Sequence, residues 1–378
     1  MASNLIKNAR LVNEGEIKQG DLLITDGRIE KIAAEIPATA SMKVMDVHGS
    51  YLIPGMIDDQ VHFREPGITQ KADLFTESRA AIAGGITSIM DMPNTNPQTV
   101  SVQALEDKFA LAKGRCHANF AFYMGATNDN LDELTKLGKN QTCGIKVFMG
   151  ASTGNMLVDD EKTLEAIFKE APTMVVTHCE DTPMILANEE KYREKFGEDV
   201  PMECHPQIRS AEACYKSSSR AIALAKKHGT RLHVLHLTTA MELDQFEPGD
   251  LANKQITGEA CVHHLYFDDR DYELKGSFIK CNPAIKTQAD KAALWQAVLD
   301  DRIDVIATDH APHLLEEKLN TYFKAPAGLP LVQHALPMVL ELVHDNIFDL
   351  PRVVEKTAHA PARMFGIQDR GYLREGYW

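Results

Sequence analysis

Paired cysteines are missing from this chain. Its seven cysteines (Cys116, Cys143, Cys179, Cys204, Cys214, Cys261 and Cys281) are scattered without a CxxC pair, so they read as reduced thiols rather than a disulfide framework. No stretch approaches the roughly 20 apolar residues that a membrane span needs. The opening residues, MASNLIKNARLVNEGEIKQGD, lack the charged, apolar and small-residue order of a signal peptide. Positive charge is also short: 40 Lys and Arg stand against 54 Asp and Glu, a formal charge of −14. Such a surface repels nucleic acid and anionic membrane, which excludes both as expected partners. An anionic substrate would need cationic side chains in its pocket to overcome that field. These absences predict a cytoplasmic protein.

What is present is ordinary globular material, with 44% hydrophobic and 25% charged residues in 378, enough for one large α/β domain and a small appendage. Up to about Val47 the chain reads as short strands (NLIKNARLV, DLLITDG, RIEKIAA), with Asp26-Gly27 as a hairpin turn. From Leu52 short apolar runs alternate with helix-like stretches, the signature of βα units. Eight runs are counted: YLIPGMIDDQVHF, GITSIMDMPN, NFAFYMGAT, GIKVFMG, TMVVTHCE, RLHVLHLTT, QITGEACVHH and DVIATDHAPH. That number closes a (β/α)₈ TIM barrel. A doubly wound open sheet fits less well, because no glycine-rich phosphate loop follows the first run.

The predicted division is a small β domain over residues 1–50, a barrel over 51–366, and the start of further small-domain strands over 367–378. Two strand-like pieces cannot bury a sheet face alone, so this β-sandwich, formed by the N-terminal strands and the extreme C-terminus, is expected to be incomplete.

Nearly every run begins apolar and ends in a polar or metal-capable residue: Gln60 and His62, Asn94, Lys146, His178, His236, His263 and His264, Asp309 and His313. In a barrel these ends converge on one face. Isolated capping residues would account for one or two of them, not for so many at equivalent positions. Asp58, Gln60 and His62 alternate and project to one side. His233 and His236 are three apart, so only one is expected inside. Asp309, Ala311 and His313 share a face that His310 does not. Three histidines and an aspartate at converging strand ends point to a metal site, and imidazole with carboxylate suits zinc. Lys146, between Ile145 and Val147, is costly to bury as an ammonium. Taken alone it reads as a lysine snorkelling to the barrel mouth; carbamylated by CO₂, it would become an anionic ligand able to bridge two ions.

The strings IDDQVHFREPG, MDMPNTNP, GIKVFMGAST, THCED, HVLHLTT and ATDHAPH, in this order, resemble the dihydroorotase branch of the amidohydrolase superfamily. The resemblance covers essentially the whole chain and is far more specific than any single motif. It implies a zinc-dependent cyclic amide hydrolase of pyrimidine biosynthesis, cyclising N-carbamoyl-L-aspartate to L-dihydroorotate. It implies Lys146 as a carbamylated bridge, His178 and His236 on one metal, and His62 and Asp309 on the other. Asp309 is also the implied catalytic base. Arg64, Asn94 and His313 match the positions that hold a substrate carboxylate, and Asn282 matches another pocket residue. The segment after Lys146 resembles a mobile substrate loop from which Thr153 or Asn155 would touch substrate; an ordinary βα loop capped by Asp159 or Asp160 is the alternative.

One position departs from the pattern: the first strand normally reads Asp-x-His-x-His, and Gln60 stands for the first histidine. One or two zinc ions per chain are therefore both open. Two other functions also remain open. One is a related hydantoinase, dihydropyrimidinase or allantoinase. The other is a catalytically impaired partner of aspartate transcarbamoylase. A homodimer is common in the family.

Overall fold

The computed structural model describes residues 3–150 and 156–378. By its internal contacts the chain divides into two compact units, residues 1–57 with 340–378, and residues 58–339.

The first unit is built on an N-terminal sheet. Its strands are β1 (Ser3–Asn13), β2 (Glu16–Thr25), β3 (Arg28–Ala33), β4 (Met42–Asp46) and the short β5 (Tyr51–Leu52). They run in the order β3-β2-β1-β4, with β5 also paired to β1. Asp26 and Gly27 both take positive φ, 50° and 85°, the pairing that lets a two-residue hairpin follow the strand twist. Ala9, Leu11, Leu22 and Ile29 form a buried cluster with Leu373 and Tyr377 against it. Residues 367–378 form turns rather than the expected strands. They reach β3 only locally, where Ile29 N donates to Tyr377 O and Gly376 N to Ile29 O, both at 2.7 Å. Residues 340–366, assigned from sequence to the barrel, group with this unit.

The second unit carries the parallel strands β6 (Met56–Val61), β7 (Ile86–Asp91), β8 (Asn119–Phe122), β9 (Met124–Gly125), β10 (Ile145–Phe148), β11 (Val175–His178), β12 (Leu232–Val234), β13 (Ile256–Cys261) and β14 (Val305–Ala307). They form a run β6-β7-β8 and a run β9 through β14. β8 and β9 are one strand interrupted at Tyr123. Its N–H still bonds Asp91 O at 3.1 Å, while Met124 N turns to Gly144 O. The other ends meet through a parallel bridge between Val61 and His310, with His62 N donating to His310 O at 2.7 Å. The sheet therefore closes, and its eight staves are the eight runs read from sequence.

The helices between strands start where side chains satisfy orphan amides. Ser101, Asp160, Ser210 and Thr287 each accept from a first-turn N–H of the helices Val102–Ala112, Glu161–Glu170, Ala211–His228 and Gln288–Leu299. Ala211–His228 buries Ala213, Cys214, Ser217, Ser218, Ala221, Ile222 and Ala225, the three-and-four spacing of one apolar stripe. It ends at Gly229 in a left-handed turn. Among the described residues no helix is long and apolar enough to cross a membrane.

Candidate active site

Of the side chains singled out at the strand ends, Gln60, His62, Lys146, His178, His236 and Asp309 line one pocket. Arg64, Phe148 and Asn282 complete its walls, closed by Ala311, Ala327 and Gly328. Three wall residues sit beyond a strand end with left-handed backbone: Arg64 at φ 65°, His236 at 40° and Asp309 at 46°. Non-glycine residues hold such conformations at a cost of order 1–3 kcal/mol, and they concentrate at functional sites. Here the left-handed turn interrupts alternation. That corrects the expectation for β12: His233 is also interior, one layer below His236. It is fully buried, with Nε2 at 3.3 Å from Asp59 and 3.8 Å from Glu259. Asp59 belongs to β6, which is not a neighbour of β12, so this contact crosses the barrel interior.

On one side of the pocket the imidazoles of His178 and His236 converge, Nδ1 to Nε2, at 3.0 Å. His178 Nε2–H donates to the Glu180 carboxylate at 2.9 Å, which leaves Nδ1 with its lone pair. Burial holds both rings below the usual histidine pKa, so they are neutral. The buried His236 Nδ1 has no hydrogen-bond partner among the described residues. Burial pushes the Glu180 carboxyl up, but the Arg209 guanidinium and His178 outweigh it and hold the pKa down to about 2. Lys146, from β10, is 1% exposed with Nζ 4.7 Å from the Phe148 ring centre. Burial lowers its pKa to about 8. Two neutral imidazoles and a lysine whose amine is readily neutral fit a divalent metal, since ligand nitrogens at about 2.0–2.1 Å from one zinc stand roughly this far apart.

Across the pocket, Asp309 Oδ1 meets Gln60 Nε2 at 3.0 Å and His62 Nε2 at 3.1 Å. His62 Nδ1 lies 2.8 Å from Asn94 Oδ1, so Asn94 orients His62 rather than forming part of the pocket wall. Burial raises the Asp309 pKa, yet the bond from His62 prevails and the carboxyl stays ionised below the ordinary value.

Beside these groups lies a cationic corner. Arg64 is 5% exposed and donates from Nε to Pro312 O at 3.1 Å. Its acidic neighbour Glu65 is engaged by Arg115 at 2.7 Å, so Arg64 is not its partner. Lys71 Nζ donates to His313 Nδ1 at 3.0 Å, and His313 Nε2 lies 2.9 Å from Ala327 O. These partners assign the proton to Nε2. The Ala327 carbonyl engages that proton, so the donor left for an anion is the Arg64 guanidinium, which lines the pocket with Nη2 3.1 Å from His313 Nε2. The buried Asn282 Oδ1 has no hydrogen-bond partner among the described residues. Thr153 and Asn155, expected to reach substrate from the loop after Lys146, lie outside the described residues.

Several supporting residues were not singled out in the sequence. Glu180 and Arg209 buttress His178, Glu259 accepts the His236 N–H at 2.8 Å, and Lys71 sets the His313 tautomer. Glu180 had a signal, because it alternates with His178 in THCED. Lys71 and Arg209 had none, because the contacts that define them are tertiary.

Comparison with known proteins agrees with this geometry. Residues 51–378 match the model of the amidohydrolase family. Dihydroorotase of Methanosarcina mazei is 34% identical over 98% of this chain and 83% of its own length. Dihydroorotase of Bacillus thuringiensis is 34% identical over 98% of this chain and 86% of its own. Among solved structures, L-hydantoinase (dihydropyrimidinase) of Arthrobacter aurescens superposes with a TM-score of 0.92 at 28% identity, covering 100% of this chain and 85% of that one. Dihydropyrimidinase of Brevibacillus agri gives 0.88 at 25% identity, covering 99% and 84%.

Proposed function

The chain belongs to the amidohydrolase family as a cyclic amidohydrolase, and on that premise we propose that it is a zinc-dependent dihydroorotase, interconverting N-carbamoyl-L-aspartate and L-dihydroorotate in pyrimidine biosynthesis. The observation that carries this reading is the buried Arg64 guanidinium in the pocket wall next to the metal-capable side chains. A ring carboxylate needs such a fork, particularly in a chain of net charge −14; a hydantoin or dihydrouracil ring has no carboxylate to fill it.

A bound divalent metal supplies Lewis acidity at the reacting carbonyl and lowers the pKa of water toward about 7. Lys146, His178 and His236 would hold it, with the lysine carbamylated through its neutral amine. The remaining work belongs to the chain's own groups. Arg64 and Asn282 bind the ring carboxylate and orient the amide, with His313 beside the guanidinium. Asp309 takes the proton of the attacking water as the new C–O bond forms, then delivers it to the ring nitrogen as the C–N bond breaks. In the cyclising direction Asp309 removes the ureido proton as the C–N bond forms and returns it to the carboxyl oxygen that departs as water. Its contacts with Gln60 and His62 keep the carboxylate ionised and aimed for that transfer.

The closeness of the solved hydantoinase and dihydropyrimidinase structures supports a second reading, a cyclic amidohydrolase for neutral rings. The deciding experiment compares hydrolysis of dihydroorotate, dihydrouracil and hydantoin by zinc-loaded protein, with orotate as inhibitor. Dihydroorotate turnover blocked by orotate is expected. Turnover of the neutral rings alone, insensitive to orotate, would establish the second reading.

A further inference from the structure

We infer that this site takes one metal ion rather than two, held by Lys146, His178 and His236, and that Gln60 is a positioning residue for Asp309 instead of a ligand. The inference rests on the metal-dependent reading above and adds its stoichiometry.

The argument starts from the Gln60 amide, whose carbonyl oxygen is its only ligand atom. In the structure the other end of the amide faces the pocket: Nε2 donates to Asp309 Oδ1 at 3.0 Å. The oxygen is turned toward β13, 3.9 Å from Cys261 Sγ. Turning the amide over would set two acceptor oxygens against each other at the Asp309 contact. The hydrogen bond therefore locks the oxygen away from the position where an imidazole nitrogen would reach an ion.

The ligand count follows. On this side two donors remain, His62 Nε2 and Asp309 Oδ1, 3.1 Å apart. Catalytic zinc ordinarily takes three protein ligands and keeps one open position. A carbamylated Lys146 has two oxygens, one for each side, so the His62 side would reach three ligands only by drawing in Asp309, whose Oδ1 already accepts from Gln60 Nε2. The His178 side reaches three without drawing on Asp309 and has the outer support that raises ligand basicity, the Glu180 carboxylate on His178. On the His62 side the outer partner is a neutral amide oxygen, from Asn94. Asp309, relieved of a second ion, keeps its oxygen on Gln60 and His62 and remains available for proton transfer.

The test loads the full chain with zinc in bicarbonate buffer, removes loose metal, and counts zinc per chain by elemental analysis. Dihydroorotate and hydantoin turnover are read on the same samples. One zinc per chain is expected for the wild type, two for Gln60→His, and none for His178→Ala. Loaded with Mn²⁺, the wild type should give the paramagnetic resonance spectrum of an isolated ion, and Gln60→His that of an exchange-coupled pair. Two zincs in the wild type, or one zinc surviving His178→Ala, would overturn the inference. If Gln60→His does not fold, the wild-type count, its manganese spectrum and His178→Ala still decide. One zinc with hydantoin turnover alone would uphold this inference while overturning the dihydroorotase reading. Two zincs with dihydroorotate turnover would do the reverse.

Discussion

Replacing Glu180 by glutamine tests how the fold prepares His178. The carboxylate does two things in the structure. It accepts the hydrogen bond from His178 Nε2 at 2.9 Å, and it neutralises the Arg209 guanidinium, whose side chain is 10% exposed. Glutamine keeps the shape and removes the charge. Groups that orient a metal-bound imidazole typically contribute 10–100-fold in metal affinity, so zinc should bind Glu180→Gln roughly 10–100-fold more weakly. The stability cost follows from the pKa, held at about 2 against an ordinary 4.5. At about 1.4 kcal/mol per unit this corresponds to about 3 kcal/mol, in line with roughly 3–5 kcal/mol for breaking a buried ion pair from one side. The sign is set by the direction of the shift. A depressed carboxyl pKa stabilises the folded state above pH 4.5, and that contribution is lost as the pH falls toward 2. Urea unfolding should therefore show a gap between wild type and variant at pH 7 that closes progressively below pH 4.5. Zinc affinity is read by competition with a chromophoric chelator at pH 7. A folded variant with wild-type zinc affinity would refute the role assigned to Glu180, and a gap that widened in acid would refute the electrostatic account.

Asp309→Asn should fold and bind zinc yet lose roughly two to four orders of magnitude in turnover; near-normal turnover would remove Asp309 as the proton carrier. Arg64→Ala should raise KM for dihydroorotate by roughly 10–150-fold, the equivalent of a charge-assisted hydrogen bond of about 1.5–3 kcal/mol, and leave hydantoin hydrolysis, if any, little changed. Unaltered KM for both substrates of the reaction would displace Arg64 from the carboxylate site. Gly328 sits at φ 144°, and an added Cβ would stand 2.4 Å from Ala311 O and 3.0 Å from His313 Cδ2. Gly328→Ala should therefore destabilise the chain by roughly 1–3 kcal/mol and weaken substrate binding, measured by thermal unfolding and KM; a variant indistinguishable from wild type would show that the pocket wall yields.

The barrel was legible in the chain because its signals are local. Apolar runs such as those ending at His178 and Asp309, separated by capped helices, report the βα repeat directly, since burial of both sheet faces demands continuous apolar strands. The residues of the metal-capable wall were legible for the same reason, as each ends a strand and barrel topology brings strand ends together. Periodicity failed where the backbone leaves the strand. It allowed only one of His233 and His236 inside, whereas the left-handed turn at His236 lets both histidines face inward. The boundary at residue 366 had no local marker either, because residues 340–366 are helical whichever unit they join.

The finer chemistry was decided by tertiary contacts. Sequence alone showed that a glutamine replaces a histidine, and left its consequence open. Only the fold sets the Gln60 nitrogen against Asp309 and its oxygen toward Cys261. Similarly, Lys71, Glu180 and Arg209 are ordinary charged residues until folding places them on His313 and His178. A strand's period is a property of neighbouring residues along the chain. The direction in which an amide or a ring nitrogen presents its proton depends on partners as many as 249 positions away, as with Gln60 and Asp309, and exists only once the barrel has closed.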